Sequence, residues 1–352
     1  MASISDAAAQ SDDGSTGKPC ETPCSQVSTA PGTPAGTFVM PDSDAFSENQ
    51  LQGSGQLCKP PHECRARASK GMEADTLIYV DVDGVLNVGV GDGNTNPISF
   101  DGANIDVAER LKNIPEAKQN SATRKMLATC KHKADGDDKT YAEMCKKSSD
   151  IVELFVERLA SIIKAAGSSN TVVLSSSWRL PCNARKLSVL ETALSRLLGS
   201  VFTFKVKTAL KEDPSPNGRL KTIADHVAEH CAQEGNQGRP LRILVMEDFH
   251  IHAMGTWNCC GQAMTSAQDV EMFLTKRVPA HIAASAKLIH TYDEWTASNG
   301  TFVQIGSGLT LNHFNAAMQF LSSTEEEVLV GSDADSEKSH SSDIRCNDSS
   351  SD

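Results

Sequence analysis

Four short apolar runs, residues 77–80, 171–174, 201–206 and 241–246, set the tightest limit on how this chain folds. Each is too short for a buried helix and is flanked by polar sequence, the pattern of a strand covered on both faces. Between them apolar residues recur at helical period. Ile151, Leu154, Phe155, Leu159, Ile162 and Ile163 share one face over residues 151–166. Leu187, Leu190, Leu194 and Leu197 do the same over 187–198, and a weaker repeat runs over 220–230. A fifth, weaker strand is expected at 286–290, with another candidate at 301–305 behind it. Strands alternating with helices predict right-handed crossovers and an α/β fold with a mainly parallel sheet.

The part expected to fold is smaller than the 352-residue chain. Residues 1–70 are rich in Ser, Gly, Pro, Asp and Thr without a sustained apolar period, and residues 323–352 are rich in Ser, Asp and Glu. Neither stretch can bury enough apolar surface to offset the entropy lost on ordering, so both are expected to be disordered tails. A domain at 71–322 remains. The net charge of −12 follows this division: residues 1–70 hold 8 acidic and 5 basic side chains, and residues 323–352 hold 9 and 2. The acidity thus belongs mainly to the tails, and a nearly neutral middle gives no bias for or against an anionic substrate.

Eleven Cys, irregularly spaced, form no C-x-x-C pair, and Cys20, Cys24, Cys58 and Cys64 fall in the leader. His250, His252, Cys259 and Cys260 are zinc-ligand types whose spacing fits no closed tetrahedral site. There is no apolar run of about 18 residues, and the first ten residues lack a basic or apolar signal. The expectation is therefore free thiols in an intracellular compartment, cytoplasmic or nuclear, with no membrane span.

The run at 77–80 ends in Asp81-Val82-Asp83-Gly84-Val85-Leu86-Asn87. Two carboxylates one residue apart then stand at the carboxyl edge of a sheet, where open α/β folds place their ligand crevice. One such Asp can attack phosphorus while its neighbour handles a proton, provided a divalent cation offsets the crowded charge. A calcium loop starting at Asp81 would need Gly at its sixth position and Glu at its twelfth; the chain has Leu86 and Asp92. The metal-holding D-x-D of sugar-nucleotide transferases fits poorly, because Gly84 permits a tight turn and Val85-Leu86 must re-enter a core.

Two further apolar runs end in residues suited to the same chemistry. Residues 172–174 lead into Ser175-Ser176-Ser177-Trp178-Arg179. Ser175 and Ser176 could bind phosphate oxygens and Arg179 could clamp them, although one Ser capping a helix is the plainer alternative. Residues 241–246 lead into Glu247-Asp248, which with Asp81 and Asp83 would complete an oxygen shell for Mg²⁺. A cation must also face the transferred phosphoryl group. Lys207, Lys211, Arg219 and Lys221 are candidates, with Arg219 and Lys221 preferred at the start of the helix behind residues 214–218. Residues 88–150, Gly- and Asn-rich and then patchily helical, follow the acid loop directly and are expected to form a small cap or lid. Lys118, Arg124, Lys125, Lys131, His132 and Lys133 make that insertion locally basic, fitting either a phosphorylated or nucleic-acid substrate or merely an exposed helix face.

Together these motifs resemble the haloacid dehalogenase-like (HAD) superfamily of phosphotransferases. Its first motif, D-x-D-G-x-[LV], is similar to residues 81–86; its second, an apolar strand ending in Ser or Thr, to residues 172–175; its fourth, a strand ending in paired acids, to residues 244–248. A narrower resemblance is to HAD domains associated with RNA-repair proteins, which carry D-x-D-G-V-L-N, then V-L-S-S-[ST]-W-R, and a late G-L-T before a final helix. Gly308-Leu309-Thr310 and residues 311–321 match that last element. The resemblance covers residues 75 to 321 with unmatched stretches inside. It implies a Rossmann-like three-layer sandwich with Asp81 as nucleophile and Asp83 as general acid/base lending a backbone carbonyl to Mg²⁺. Ser175 would bind the phosphoryl group, and Asp248 with Glu247 would hold the metal. The third-motif lysine has no single counterpart, Arg219 and Lys221 being nearest, and the fourth motif reads Glu-Asp where Asp-Asp is commoner.

The sequence thus predicts a Mg²⁺-dependent phosphohydrolase acting through an aspartyl phosphate on a phosphomonoester. Its partner would be a phosphorylated small molecule or a nucleic-acid end. The alternatives are a nucleic-acid end-processing phosphatase and a catalytically weak HAD-like binding or scaffold protein that works through its tails.

Overall fold

Successive residues of a strand point to opposite faces, and in the middle of the central sheet of this protein both faces are buried, which is why residues 77–80, 172–174 and 243–246 are apolar without alternation. The computed structural model describes residues 74–91, 97–210, 215–233, 238–248, 257–259 and 262–323. The strands are β1 (Asp75–Val80), β2 (Gly89–Val90), β3 (Ile98–Ser99), β4 (Asn170–Leu174), β5 (Val206–Lys207), β6 (Leu241–Glu247), β7 (Trp257–Cys259), β8 (Gln262–Met264), β9 (Ala284–His290), β10 (Tyr292–Thr296) and β11 (Phe302–Gly306). The helices are α1 (Gly102–Leu111), α2 (Ser121–Lys131), α3 (Tyr141–Cys145), α4 (Glu153–Ala165), α5 (Ala184–Leu198), α6 (Pro216–Ala232), α7 (Ala267–Thr275) and α8 (Leu311–Ser322).

Five strands form one sheet in the order β5-β4-β1-β6-β9, every neighbouring pair parallel. Ile78, Val80, Leu174 and Met246 face one core, shared with Phe155 and Leu159 of α4, Leu190 of α5 and Leu321 of α8. Leu77, Tyr79, Val173 and Val245 face the other, shared with Ile223 of α6 and Phe273 of α7. The chain leaves β1 toward β4 and β5 on one side and later returns to β6 and β9 on the other. The order therefore reverses at β1, and such a reversal opens a crevice at the carboxyl ends of the strands.

One expected strand is largely absent. Of residues 201–206 only Val206 joins the sheet. The side chains of α5 capture the preceding backbone: Phe202 N–H donates to Ser195 Oγ at 2.9 Å and Phe204 N–H to Glu191 Oε1 at 2.9 Å. With these donors satisfied elsewhere, the segment has no ladder to form, and Val201 is left 93% exposed.

A second sheet, ordered β10-β11-β2-β3 and antiparallel, joins the start of the 88–150 insertion to the hairpin at 292–306. Residues 301–305, read as a strand behind the fifth, thus belong to this sheet rather than the central one. The insertion is also pinned from within. Asp137 makes a two-pronged ion pair with Arg158 of α4, whose Nη1 also donates to Leu309 O at 2.8 Å. The expected leader (1–70) and the expected tail, apart from Ser323, lie outside the described residues, as do Lys211, His250, His252 and Cys260. Among the described residues no helix is long and apolar enough to cross a membrane.

Candidate functional site

Because β4, β1 and β6 are adjacent and parallel, the residues behind them come out side by side. Val80 pairs with Leu174 on one side and Met246 on the other. The ladder runs one step further: Ser175 N–H donates to Val80 O at 2.9 Å and Asp81 N–H to Met246 O at 3.1 Å. Asp81, Ser175 and Glu247 are thereby level, and Asp248 follows. Carboxylate oxygens of Asp81, Glu247 and Asp248 all lie within 4.8 Å of one another. Asp81 is 3% exposed and Glu247 fully buried, while the Asp248 side chain keeps 24% of its surface.

This crowding depends on glycine. Gly84 holds φ of 76°, a region costly for other residues, and a Cβ there would collide with the Asp248 carboxylate. Gly306 lies against the Cα of Gly84, so two backbones cross with no side chain between them. Behind that crossing Gly308 N–H donates to Gly84 O at 3.0 Å and Leu309 N–H to Val85 O at 2.8 Å. The G-L-T element therefore clamps the acid loop.

One cation enters the cluster. Ser215 caps α6, its Oγ accepting from Gly218 N–H at 3.2 Å, and Pro216 occupies the first turn, where its missing N–H costs nothing. Arg219 follows within that turn. Its Nη2 donates to Asp81 Oδ2 and Glu247 Oε2, and its Nη1 lies 3.7 Å from Asp248 Oδ1. Burial acts to lower the Arg219 pKa, but the three carboxylates outweigh it and raise it. Burial raises the Glu247 carboxyl well above its ordinary value, with Arg219 opposing. Burial, then the Asp81 charge, pushes Asp248 up to about 7. Arg219 touches all three acids and Arg179 acts on Asp81 and Glu247 from farther off, so two guanidiniums face three carboxyl groups and the site is short of positive charge. Three hard oxygen donors with that deficit fit the needs of Mg²⁺.

The other expected site residues divide. The Asp83 carboxylate is exposed and stands outside the 4.8 Å cluster, so its side chain is not one of the clustered oxygens. It accepts from Asn87 Nδ2 at 3.0 Å, Trp178 Nε1 at 3.1 Å and Ser177 Oγ at 3.2 Å. Ser175 Oγ donates to Glu247 Oε1 at 3.2 Å. Ser176 is buried and caps the short 3₁₀ turn Ser177–Arg179, its Oγ accepting from Trp178 N–H at 3.3 Å. Arg179 braces the same loop, Nη1 donating to Ser175 O at 2.9 Å and Ser176 O at 2.8 Å. Lys221 is not in the site: two residues beyond Arg219 the helix has turned by about 200°. It is 51% exposed and pairs with Asp225 at 3.1 Å. Lys207 is exposed at the end of β5.

The triple grip on Asp83 went unassigned in the sequence, although Asn87, Ser177 and Trp178 all stand inside the motif strings. The available signal was chemical: an amide, a hydroxyl and an indole N–H are donors without charge, suited to hold a carboxylate without pairing it. Comparisons of the chain with protein-family models, with curated proteins and with solved structures gave no significant match.

Proposed function

We propose that this protein is a Mg²⁺-dependent phosphohydrolase acting on a phosphomonoester through an aspartyl-phosphate intermediate. The observation that carries this reading is the excess of acid at one strand edge. Folding gains nothing from crowding three carboxyl groups at one edge, whereas phosphoryl transfer with a divalent cation uses them all. The strand order, the reversal at β1 and helices on both faces support a Rossmann-like three-layer sandwich. The position of residues 88–150, directly behind the acid loop and joined to the 292–306 hairpin, supports their role as a cap. The resemblance of the motifs to HAD phosphotransferases points the same way.

In this reading Asp81, 3% exposed and oriented by Val82 N–H at 2.7 Å and by Arg219, attacks phosphorus with its free carboxylate electrons. The ester oxygen leaves and takes a proton from Asp83, which Trp178, Ser177 and Asn87 hold in place. Asp83 then takes a proton from the water that cleaves the acyl phosphate, restoring Asp81. Ser175 and Arg219 meet the charge on the transferred group, and Arg179 keeps the serine loop in shape. Asp81, Glu247 and Asp248 would hold Mg²⁺, which supplies the positive charge that lets a phosphate dianion approach this many acids.

The test is hydrolysis of an aryl phosphate by the full chain with Mg²⁺. Asp81→Asn is expected to lower kcat at least about a thousandfold with little change in thermal stability. Equal rates in the two proteins end the reading.

A further inference from the structure

The far end of β10 and the turn behind it form, with α2 and the connection at 112–119, an open cavity of about 880 Å³ that shares no residue with the acid cluster. Its size falls in the range of small-molecule sites. Lys112, Arg124 and Lys131 line it against a single carboxylate, Glu116, whose Oε1 is already held by Asn299 Nδ2 at 2.5 Å. None of the ion pairs among the described residues involves these three cations.

The cavity also has a flat aromatic wall. The Trp295 indole lies on the His132 imidazole with ring centres 3.8 Å apart and planes 9° from parallel. Tyr141, fully buried and outside the cavity lining, stacks on His132 at 6.2 Å, so His132 is packed on both faces and Trp295 is the ring left for a ligand. The rim is braced by Gln119 Nε2, which donates to Ile114 O at 2.8 Å, and by the Asn299–Glu116 bond. Cations alone would suit any anion, and stacked rings alone any planar group. A site that offers both suits a ligand carrying a planar ring and a phosphate together.

We propose that this cavity binds a nucleotide, its base against Trp295 and its phosphate at Arg124 and Lys131. An inorganic phosphate would use only the cations, and an acidic peptide would leave the rings unmet. The proposal is independent of the hydrolase reading, since no residue of the acid cluster takes part.

The experiment is calorimetry at low salt on full-length Asp81→Asn protein, a background in which hydrolysis does not deplete the ligand. Probes are AMP, UMP, a 5′-phosphorylated tetranucleotide, and inorganic phosphate as reference. Nucleotides are expected to bind at least about tenfold more tightly than phosphate. Adding Arg124→Gln weakens all probes, and adding Trp295→Leu weakens the nucleotides at least about fivefold. Trp295→Phe, which keeps a ring, retains most of the binding and guards against a fold lost in the leucine variant. Tighter binding of the tetranucleotide makes a strand end the source; equal binding makes it the free nucleotide; both support the proposal. It is overturned by no binding at millimolar nucleotide, by binding indifferent to Arg124 and Trp295, or by oligoglutamate competing as well as AMP.

Discussion

Among the described residues Arg158 and Arg219 both reach buried acids, and they meet opposite arrangements of charge. Arg158 meets one carboxylate: Asp137 accepts from both of its terminal nitrogens, at 2.5 and 3.1 Å, and takes Leu311 N–H at 2.9 Å besides. The charges there cancel, and the pair ties α4 to the insertion and to the start of α8. Arg219 meets three carboxyl groups, two of which, Glu247 and Asp248, burial pushes toward the protonated form. A buried pair in balance serves as a fastener, whereas a cluster of acids held at raised pKa has to be explained by what else it binds.

That contrast can be broken most sharply by removing each guanidinium. Arg158→Leu strands Asp137 and is expected to cost about 3–5 kcal/mol in urea unfolding, unchanged by millimolar Mg²⁺. Arg219→Leu is expected to cost only about 1–3 kcal/mol, because Asp248 and Glu247 can take up protons, and Mg²⁺ restores most of it. Equal responses to Mg²⁺ would erase the distinction. A subtler effect appears with pH. The Asp248 carboxyl, raised by burial and Asp81 from 3.8 to about 7, keeps its proton in the folded chain where the unfolded chain has lost it. Metal-free protein should therefore lose stability as pH rises from about 4 to about 7. Glu247, raised likewise by burial, adds to the same slope, so Asp248→Asn flattens it in part.

Smaller again is the expected result of Trp178→Phe, which takes one donor from Asp83: kcat falls about tenfold while KM holds, and an equal fall when the same change is made in Asp83→Asn protein would contradict a role through Asp83. Least of all, Lys221→Ala should move stability by under about 0.5 kcal/mol and leave turnover alone, which a pseudo-first-order rate comparison with Arg219→Leu checks directly.

The parts of this molecule legible in its sequence are those written locally. An apolar run with a polar tip is a local pattern, so Asp81, Ser175 and Glu247-Asp248 could be assigned to strand ends, and α4, α5 and α6 could be read from their period, while α8 is expected only from the G-L-T resemblance. Arg219 and Lys221 could not be separated without the phase of α6, which Ser215 and Pro216 set. The 201–206 segment misled because its composition is strand-like, while the competing acceptors, Ser195 and Glu191, sit on a helix several residues earlier. Nothing local announces that residues 89–90 pair with 305–306, or that an indole at 178 serves an acid at 83. These are long-range partnerships, and periodicity carries no information about them.

The clamp of Gly308 and Leu309 on residues 84 and 85 has a bearing on how the protein is made. During synthesis the acid loop emerges long before the segment that closes over it, and segments fold broadly in the order they appear. A nascent chain therefore carries Asp81 and Asp83 on an open loop until residues 308 and 309 have left the ribosome. The acid loop is closed in one late step, and fragments ending short of residue 308 should retain the first strands yet lack an ordered acid loop.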